Sequence, residues 1–415
     1  MTTLNQYKVV KDRSWQDMAR ASRFRADYWV TVALLGVLVA SGLGAFVYLE
    51  LEGHWISGMN NQVVWGLPHV FAILLILSAS GALNIASMGS VFGQQEYKPW
   101  GRFSGLMAVG LLIGGLLILV LDLGRPERLI VAMTHYNFKS IFAWNIILYN
   151  GFVAIVIVYL WTMFENRLSH YTKKAGLVAF IWRFVLTTGT GSIFGFLVAR
   201  EFYDSAMMVP IFIVLSLIMG TALFVLMVNI FSRWSEVGLG QPLLKQLERL
   251  MIGLIALELF LIVVFHLTNL YIAEHGDIER FILTDGGGYT WLFWLGQIGI
   301  GLVIPLILIL GSNQTNRNRQ MSVASLLVFL GGISHIYVTI IAGQAFPLGM
   351  FPGKEVSSTF FDGVVADYSP SIFELALGMG GLAFACLVVM LVARVLPFFP
   401  AMTSSADQDR ESPSE

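Results

Sequence analysis

The chain has 415 residues, 56% hydrophobic and only 12% charged, with a mean hydropathy of +0.74 and a formal net charge of -1. A soluble domain carries about 25% charged residues, so the composition excludes an ordinary soluble enzyme, and the near-neutral charge offers nothing to nucleic acid. The single cysteine, Cys386, excludes an internal disulfide and a cysteine-held iron–sulfur cluster.

Residues 1–27 are polar and basic, and the apolar run after them lacks a small-residue cleavage pattern. They read as a cytoplasmic N-terminal segment and not as a cleaved signal. Ten continuous apolar runs follow, each of roughly the 20 residues a spanning helix needs and unlike the short alternating segments of a barrel. They fall at 28–49, 64–92, 104–122, 140–164, 177–199, 206–231, 247–273, 289–311, 321–345 and 371–397. The expected fold is an all-α integral membrane protein: a polytopic bundle of ten transmembrane helices over 28–397, followed by a cytoplasmic tail at 398–415. Ser404–Glu415 is polar enough to be disordered. The stretch from Phe346 to Pro370, rich in Gly, Pro, Ser and Asp, is too short for a domain. Gly110 and Gly114 in the third run, and Gly378, Gly380 and Gly381 in the tenth, are small residues of the kind that let spanning helices approach closely.

Lysine and arginine set the orientation. With the N-terminus in the cytoplasm, 19 of the 25 basic residues fall on the cytoplasmic side, and only Arg125, Arg128, Lys139, Arg200, Arg280 and Lys354 fall outside. Ten spans return the C-terminus to the cytoplasm as well. Arg183 and Arg394 are expected near the cytoplasmic helix ends, with their charged heads reaching the interface.

The third run ends in Leu121-Asp122-Leu123-Gly124-Arg125-Pro126-Glu127-Arg128. Gly and Pro stop the helix there, and the orientation puts Asp122 on the outer face. Four histidines, His54, His135, His170 and His275, fall in loops and read as surface residues. Three lie within spans: His69, His266 and His335. Counting about 1.5 Å per residue, all three belong to the outer half of the bilayer, at the depth of Asp122. Asn145, Tyr149, Glu374 and Tyr337 are expected at a similar level. A lone histidine in a span more often bonds helix to helix than binds a ligand. Several polar groups at one depth, each costly in lipid, instead suggest a shared polar pocket. A quinone head group needs such a lining, because its two oxygens need donors and its turnover moves two protons. Glu258 lies deeper, eight residues before His266 and on the same helix face, where it either pairs locally or relays protons.

The segment Asp122-Leu123-Gly124-Arg125-Pro126 resembles the GRP motif of the NrfD/polysulfide reductase membrane-subunit family. Trp65-Gly66-Leu67-Pro68-His69-Val70-Phe71 with Ser80-Gly81-Ala82, and Phe138-Lys139-Ser140-Ile141-Phe142-Ala143-Trp144, resemble further family stretches. Ten spans are similar to the HybB-like branch, and within it to the DsrP-type subunits of DsrMKJOP sulfur-metabolism complexes. One departure is Ala79, where some members carry a histidine near Ser80-Gly81; His69 would replace it from about ten residues earlier.

The resemblance implies a quinone-interacting membrane anchor without a redox metal centre of its own, in the bacterial inner membrane. It would exchange electrons between menaquinone or ubiquinone and a periplasmic, ferredoxin-like iron–sulfur subunit of DsrO type. On that reading His69 and His335 hydrogen-bond the quinone oxygens, Asp122 and His266 exchange protons, and Arg125 fixes the helix exit. Trp144, Asn145 and Tyr149 line the head group, and Glu258 links the pocket to the cytoplasm.

Two other readings stay open. A secondary transporter for a small anion would also use polar residues and glycine-broken helices, although no internal repeat is visible and the polar residues are expected high, not at the midplane. A b-type cytochrome would ligate haem through two of the three histidines. The inner half holds no histidine, so only an outer haem fits.

Overall fold

The computed structural model describes residues 7–8, 26–235, 237–348, 363–399 and 401–402. The tail expected to be disordered, most of the N-terminal segment and the middle of the 346–370 stretch lie outside these residues.

Among the described residues, ten helices are long and apolar enough to cross a membrane: α1 (Ala26–Glu52), α2 (Leu67–Ser90), α3 (Lys98–Leu121), α4 (Ile141–Phe164), α5 (Asn166–Gly195), α6 (Met208–Trp234), α7 (Gln241–Tyr271), α8 (Gly288–Leu310), α9 (Arg317–Ala345) and α10 (Ile372–Val395). Each corresponds to one apolar run. The clearest difference is at α5, which runs over Asn166–Gly195 and not 177–199, opening with a 3₁₀ turn at Asn166–Tyr171; α7 likewise begins at Gln241 and not at 247. Its first turns carry Lys245 and Gln246 and give little hydropathy signal, but Pro242 in the first turn is compatible with a helix start. A two-residue antiparallel pairing of Tyr7–Lys8 with Ala401–Met402 brings the two ends of the protein to one side, as an even number of spans requires.

The bundle is built around α2. Its 18-residue apolar window is entirely buried, against 11% for α1, which packs on the outside along α10. A helix apolar on all faces belongs at such a centre, and α2 lies against α3, α5, α6, α9 and α10. Its closest approach is to α6. A Cβ on Gly81 would overlap the Ser216 carbonyl, and one on Gly220 would overlap the Gly81–Ala82 peptide.

The α8–α9 pair is irregular. Leu292–Val303 in α8 and Val338–Ala342 in α9 are wound as wide π-helical turns. Such turns are rare and concentrate at functional positions. Here they lie on either side of the polar cluster described below.

At one end of the bundle α3 stops at Asp122, and α2, α4, α6, α8 and α10 begin. The connections there include a 3₁₀ turn at Pro126–Arg128, a short helix at Leu129–Thr134, and turns over Ala273–Asp285.

Candidate functional site

Asp122 sits at the α3 terminus because the backbone is unable to continue as helix beyond it. Gly124 takes φ +67°, a left-handed conformation that residues with a Cβ rarely adopt, and Pro126 follows. The turn folds the Asp122 side chain inward, where it is 1% exposed. His69 lies in the first turn of α2, just after Pro68. Its Nδ1 is 3.1 Å from Asp122 Oδ2, and its own side chain is 24% exposed. The contact is close but out of line. Among the described residues, His69 Nδ1 and both Asp122 oxygens are buried without a hydrogen-bond partner. Buried polar atoms are nearly always satisfied, and within the polypeptide these atoms have only the ion-pair contact to each other. Trp65 stacks over the imidazole, with centroids 6.2 Å apart and planes at 25°, and is held edge-on by Phe142 and Phe194. The result is a buried acid, an accessible imidazole and an aromatic plate at the mouth of the bundle.

His266, His335 and Glu258 do not join this pair. They form a second cluster between α7, α8 and α9. Glu258 is fully buried, its Oε1 is 3.6 Å from His335 Nδ1, and neither of its oxygens has a hydrogen-bond partner among the described residues. His266 Nδ1 is 2.6 Å from Glu279 Oε2, and Asn269 Nδ2 donates to Glu279 Oε1 at 2.9 Å. His275 Nδ1 is 3.3 Å from Asn269 Oδ1. His266, His335, Gln297 and Thr339 line a cavity of about 20 Å³, room for one or two waters and far too small for a quinone ring. Burial pushes the Glu201 carboxyl up, partly offset by His275 nearby. The polar groups thus follow one another from Glu201 and His275 through Asn269, Glu279 and His266 to His335 and Glu258. A series of ring contacts, Trp65–Phe194–Tyr203–Phe202–Phe265–His266, separates this cluster from His69. The polar residues expected to share a single pocket therefore fall in two clusters.

The remaining candidates have other surroundings. Asn145 Nδ2 donates to the Ile141 and Gly189 carbonyls, and the Tyr149 and Thr190 hydroxyls are 3.2 Å apart; both residues seal α4 against α5. Trp144 is 45% exposed, and its indole donates to the Phe138 carbonyl. It points away from the bundle, whereas Phe142 faces Trp65. Arg125 is exposed on the turn after Asp122. Glu374 is fully buried, but as a cap: it accepts from the Gly58 and Ser371 amides and from the Tyr368 hydroxyl.

Two further sequence expectations are corrected. Arg183 does not reach the interface. It is buried inside the bundle, donates to Asn84 at 3.1 Å and lies over Phe184 at 4.2 Å, because it sits on the face of α5 that meets α2. His275 is not a surface histidine; the turn after α7 folds it under, against Asn269. Reasoning from sequence also missed Trp65 as a site residue, and missed Glu279, Asn269 and Gln297. Trp65 stands four residues before His69 in the same family-like stretch, which is the signal that could have found it. Glu279 lies in a polar connection with no signal to separate it from Glu274 or Asp277.

Comparison with known proteins places this geometry in context. The protein is 29% identical over 376 residues to the Hdr-like menaquinol oxidoreductase integral membrane subunit of Archaeoglobus fulgidus, covering 90% of this sequence and 94% of the relative. It is 26% identical over 308 residues to the C subunit of polysulfide reductase from Wolinella succinogenes, covering 69% and 96%. It is 23% identical over 404 residues to the integral membrane subunit of menaquinone reductase from Nitratidesulfovibrio vulgaris, covering 90% and 93%. The sequence profile of the polysulphide reductase NrfD family matches residues 55–348, a span that holds Asp122 and all three intramembrane histidines. With ten spans and this match over most of its length, the chain is a multi-pass membrane protein that belongs to the polysulphide reductase NrfD family.

Proposed function

We propose that the protein is the quinone-reactive membrane subunit of a multi-subunit redox complex, with the quinone head group meeting His69 and Asp122. The observation that carries the reading is the set of orphaned buried atoms on that pair, beneath Trp65 and beside an accessible imidazole. Two relatives are named for menaquinol or menaquinone, which favours menaquinone over ubiquinone as the substrate and redox chemistry over anion transport.

The chemistry follows from the pair. Nδ1 of His69 faces the carboxylate, so Nε2 is the nitrogen left to meet a quinol hydroxyl. Nε2 takes the two quinol protons in turn, releasing the first through the exposed edge of the ring before it takes the second, and the Asp122 carboxylate stabilises the imidazolium each time it forms, as an acid behind a histidine does in other catalytic pairs. The two electrons released by quinol oxidation leave for an iron–sulfur subunit at the same end. Exposed Arg125 and Arg128, with exposed Ile130 and Val131 on the short helix beside them, suit a docking surface for it. The basic-residue balance orients this end outward, towards the periplasm in a bacterial inner membrane. A place in sulfur metabolism is supported by the DsrP-type resemblance and by the polysulfide reductase relative.

The second cluster serves protons. Its cavity has room for one or two waters and not for a ring, and its carboxyl–imidazole pairs lead from Glu201 at the Asp122 end inward to Glu258. Glu258→Gln is expected to slow turnover against a membrane potential by on the order of tenfold and to reduce the charge moved per quinol in proteoliposomes. Unchanged charge movement would remove Glu258 from the proton route.

The test of the main reading is oxidation of a soluble menaquinol analogue by the purified complex. Co-purification of an iron–sulfur subunit with quinol activity supports it; a lone polypeptide that moves an anion and oxidises no quinol refutes it. Trp144→Leu should leave the rate within about twofold, as a substitution at an exposed position away from the site. A large loss in that variant would mean that the ring does reach the quinone.

A further inference from the structure

The loop that presents Trp65 to His69 is closed on itself around Asn60, whose Oδ1 accepts from the Gln62 and Val63 amides, but the Val64 and Trp65 backbone is anchored from elsewhere. From the end of α9, Gln344 is 2% exposed and uses its whole amide on this loop and its own helix. Its Oε1 accepts from the Val64 and Trp65 amides, both at 3.0 Å. Its Nε2 donates to the Trp65 carbonyl at 3.0 Å and to the Ile340 carbonyl at 2.8 Å. Ile340 lies within the π-helical turn of α9, and its carbonyl also accepts from the Tyr203 hydroxyl at 2.7 Å. Arg200 ties the arrangement from a third side, donating to the Gln344 and Gln62 carbonyls at 2.9 Å each. Gln62 returns a bond to the Ala345 carbonyl at 2.8 Å. No other side chain among the described residues bonds both the amide and the carbonyl of Trp65.

We infer that Gln344 is a positioning residue of the quinone site, acting through Trp65. It fixes the Trp65 backbone on both sides of the residue, and so fixes the ring over His69. A glutamine with four satisfied bonds in a buried setting has one orientation, and losing it would leave the Val64 and Trp65 amides and the Trp65 carbonyl unpaired. The clamp rides on α9, the helix that carries His335 nine residues earlier. It therefore joins the proton cluster to the His69–Asp122 pair through a helix and not through a shared cavity. This inference rests on the proposed quinone site.

The experiment is equilibrium binding of a fluorescent alkyl-hydroxyquinoline N-oxide, a quinol analogue, to the purified complex. Wild type, Trp65→Ala, Gln344→Met and the double variant are compared, with thermal melts to confirm folding. Each single change is expected to weaken binding by about tenfold, and the double variant to bind no more weakly than Trp65→Ala alone, because both act on one ring. Gln344→Glu, which keeps both accepting contacts, should fall between wild type and Gln344→Met, and carries the same test if Gln344→Met fails to assemble. Wild-type affinity in both Gln344 variants, or losses that multiply in the double variant, would overturn the positioning role. Normal binding in Trp65→Ala would overturn the quinone site itself, and the positioning role with it.

Discussion

Asp122→Asn is expected to lower quinol oxidation on the order of 10²- to 10³-fold, in the range a positioned acid–base pair contributes, while the complex still assembles and melts normally. Asn keeps the size of the side chain and its helix-capping place but does not stabilise a positive imidazole. The loss should therefore fall mainly on kcat, since the substrate still meets His69 Nε2. Folding should be spared because, among the described residues, the Asp122 oxygens make no hydrogen bond and only the ion-pair contact to His69, which Asn still faces. A variant that keeps the wild-type rate would mean that Asp122 only holds the turn through Gly124 and Arg125. Raising the pH should not restore Asp122→Asn, because the missing charge belongs to the protein and not to the substrate.

The second large effect is structural. Gly81→Ala should abolish or severely reduce assembly of the subunit. The added Cβ meets the Ser216 carbonyl, and on the facing helix Gly220 touches the Gly81–Ala82 backbone. Inserting a methylene into a packed core typically costs about 1–3 kcal/mol when side chains can adjust. Here the obstacle is backbone from a neighbouring helix at the centre of the bundle, so the cost should reach or exceed the top of that range. Gly253→Ala is the control: nothing lies within 4 Å of a Cβ there, so it should be neutral or slightly stabilising. Comparing the yields and melting temperatures of the two variants checks the prediction, and equal behaviour would contradict the close α2–α6 contact.

The spans are legible in the sequence because ten apolar runs are a one-dimensional signal, and lipid forces each to become a helix. The Asp122 turn is legible because Gly and Pro mark it locally. His69, His266, His335 and Glu258 each stand on the helix where counting residues puts them. Their pairing is not legible. Depth along a helix follows from counting, but which neighbour a side chain meets depends on helix rotation and on which helices adjoin. Those are set by contacts such as Gly81 against Gly220. His69 and His266 lie towards the same end of the bundle, yet they belong to different helix groups separated by a row of aromatic rings. Glu279 and His275 lay beyond reach for a related reason: a loop that folds back under a helix end has the composition of any polar loop. Arg183 shows the same limit, since a cation facing α2 and one facing lipid read alike in a sequence.

On the proposed mechanism the quinone meets His69–Asp122 and not the Glu258–His335 cluster. Photoaffinity labelling of the intact complex with an azido-naphthoquinone, followed by mapping of the modified peptides, separates the two. Label is expected on the segment around Trp65–His69 and on the Asp122 turn, and it should be lost when excess unlabelled quinone is present. Label concentrated on the α7 and α9 peptides that hold Glu258, His266 and His335 would contradict the assignment.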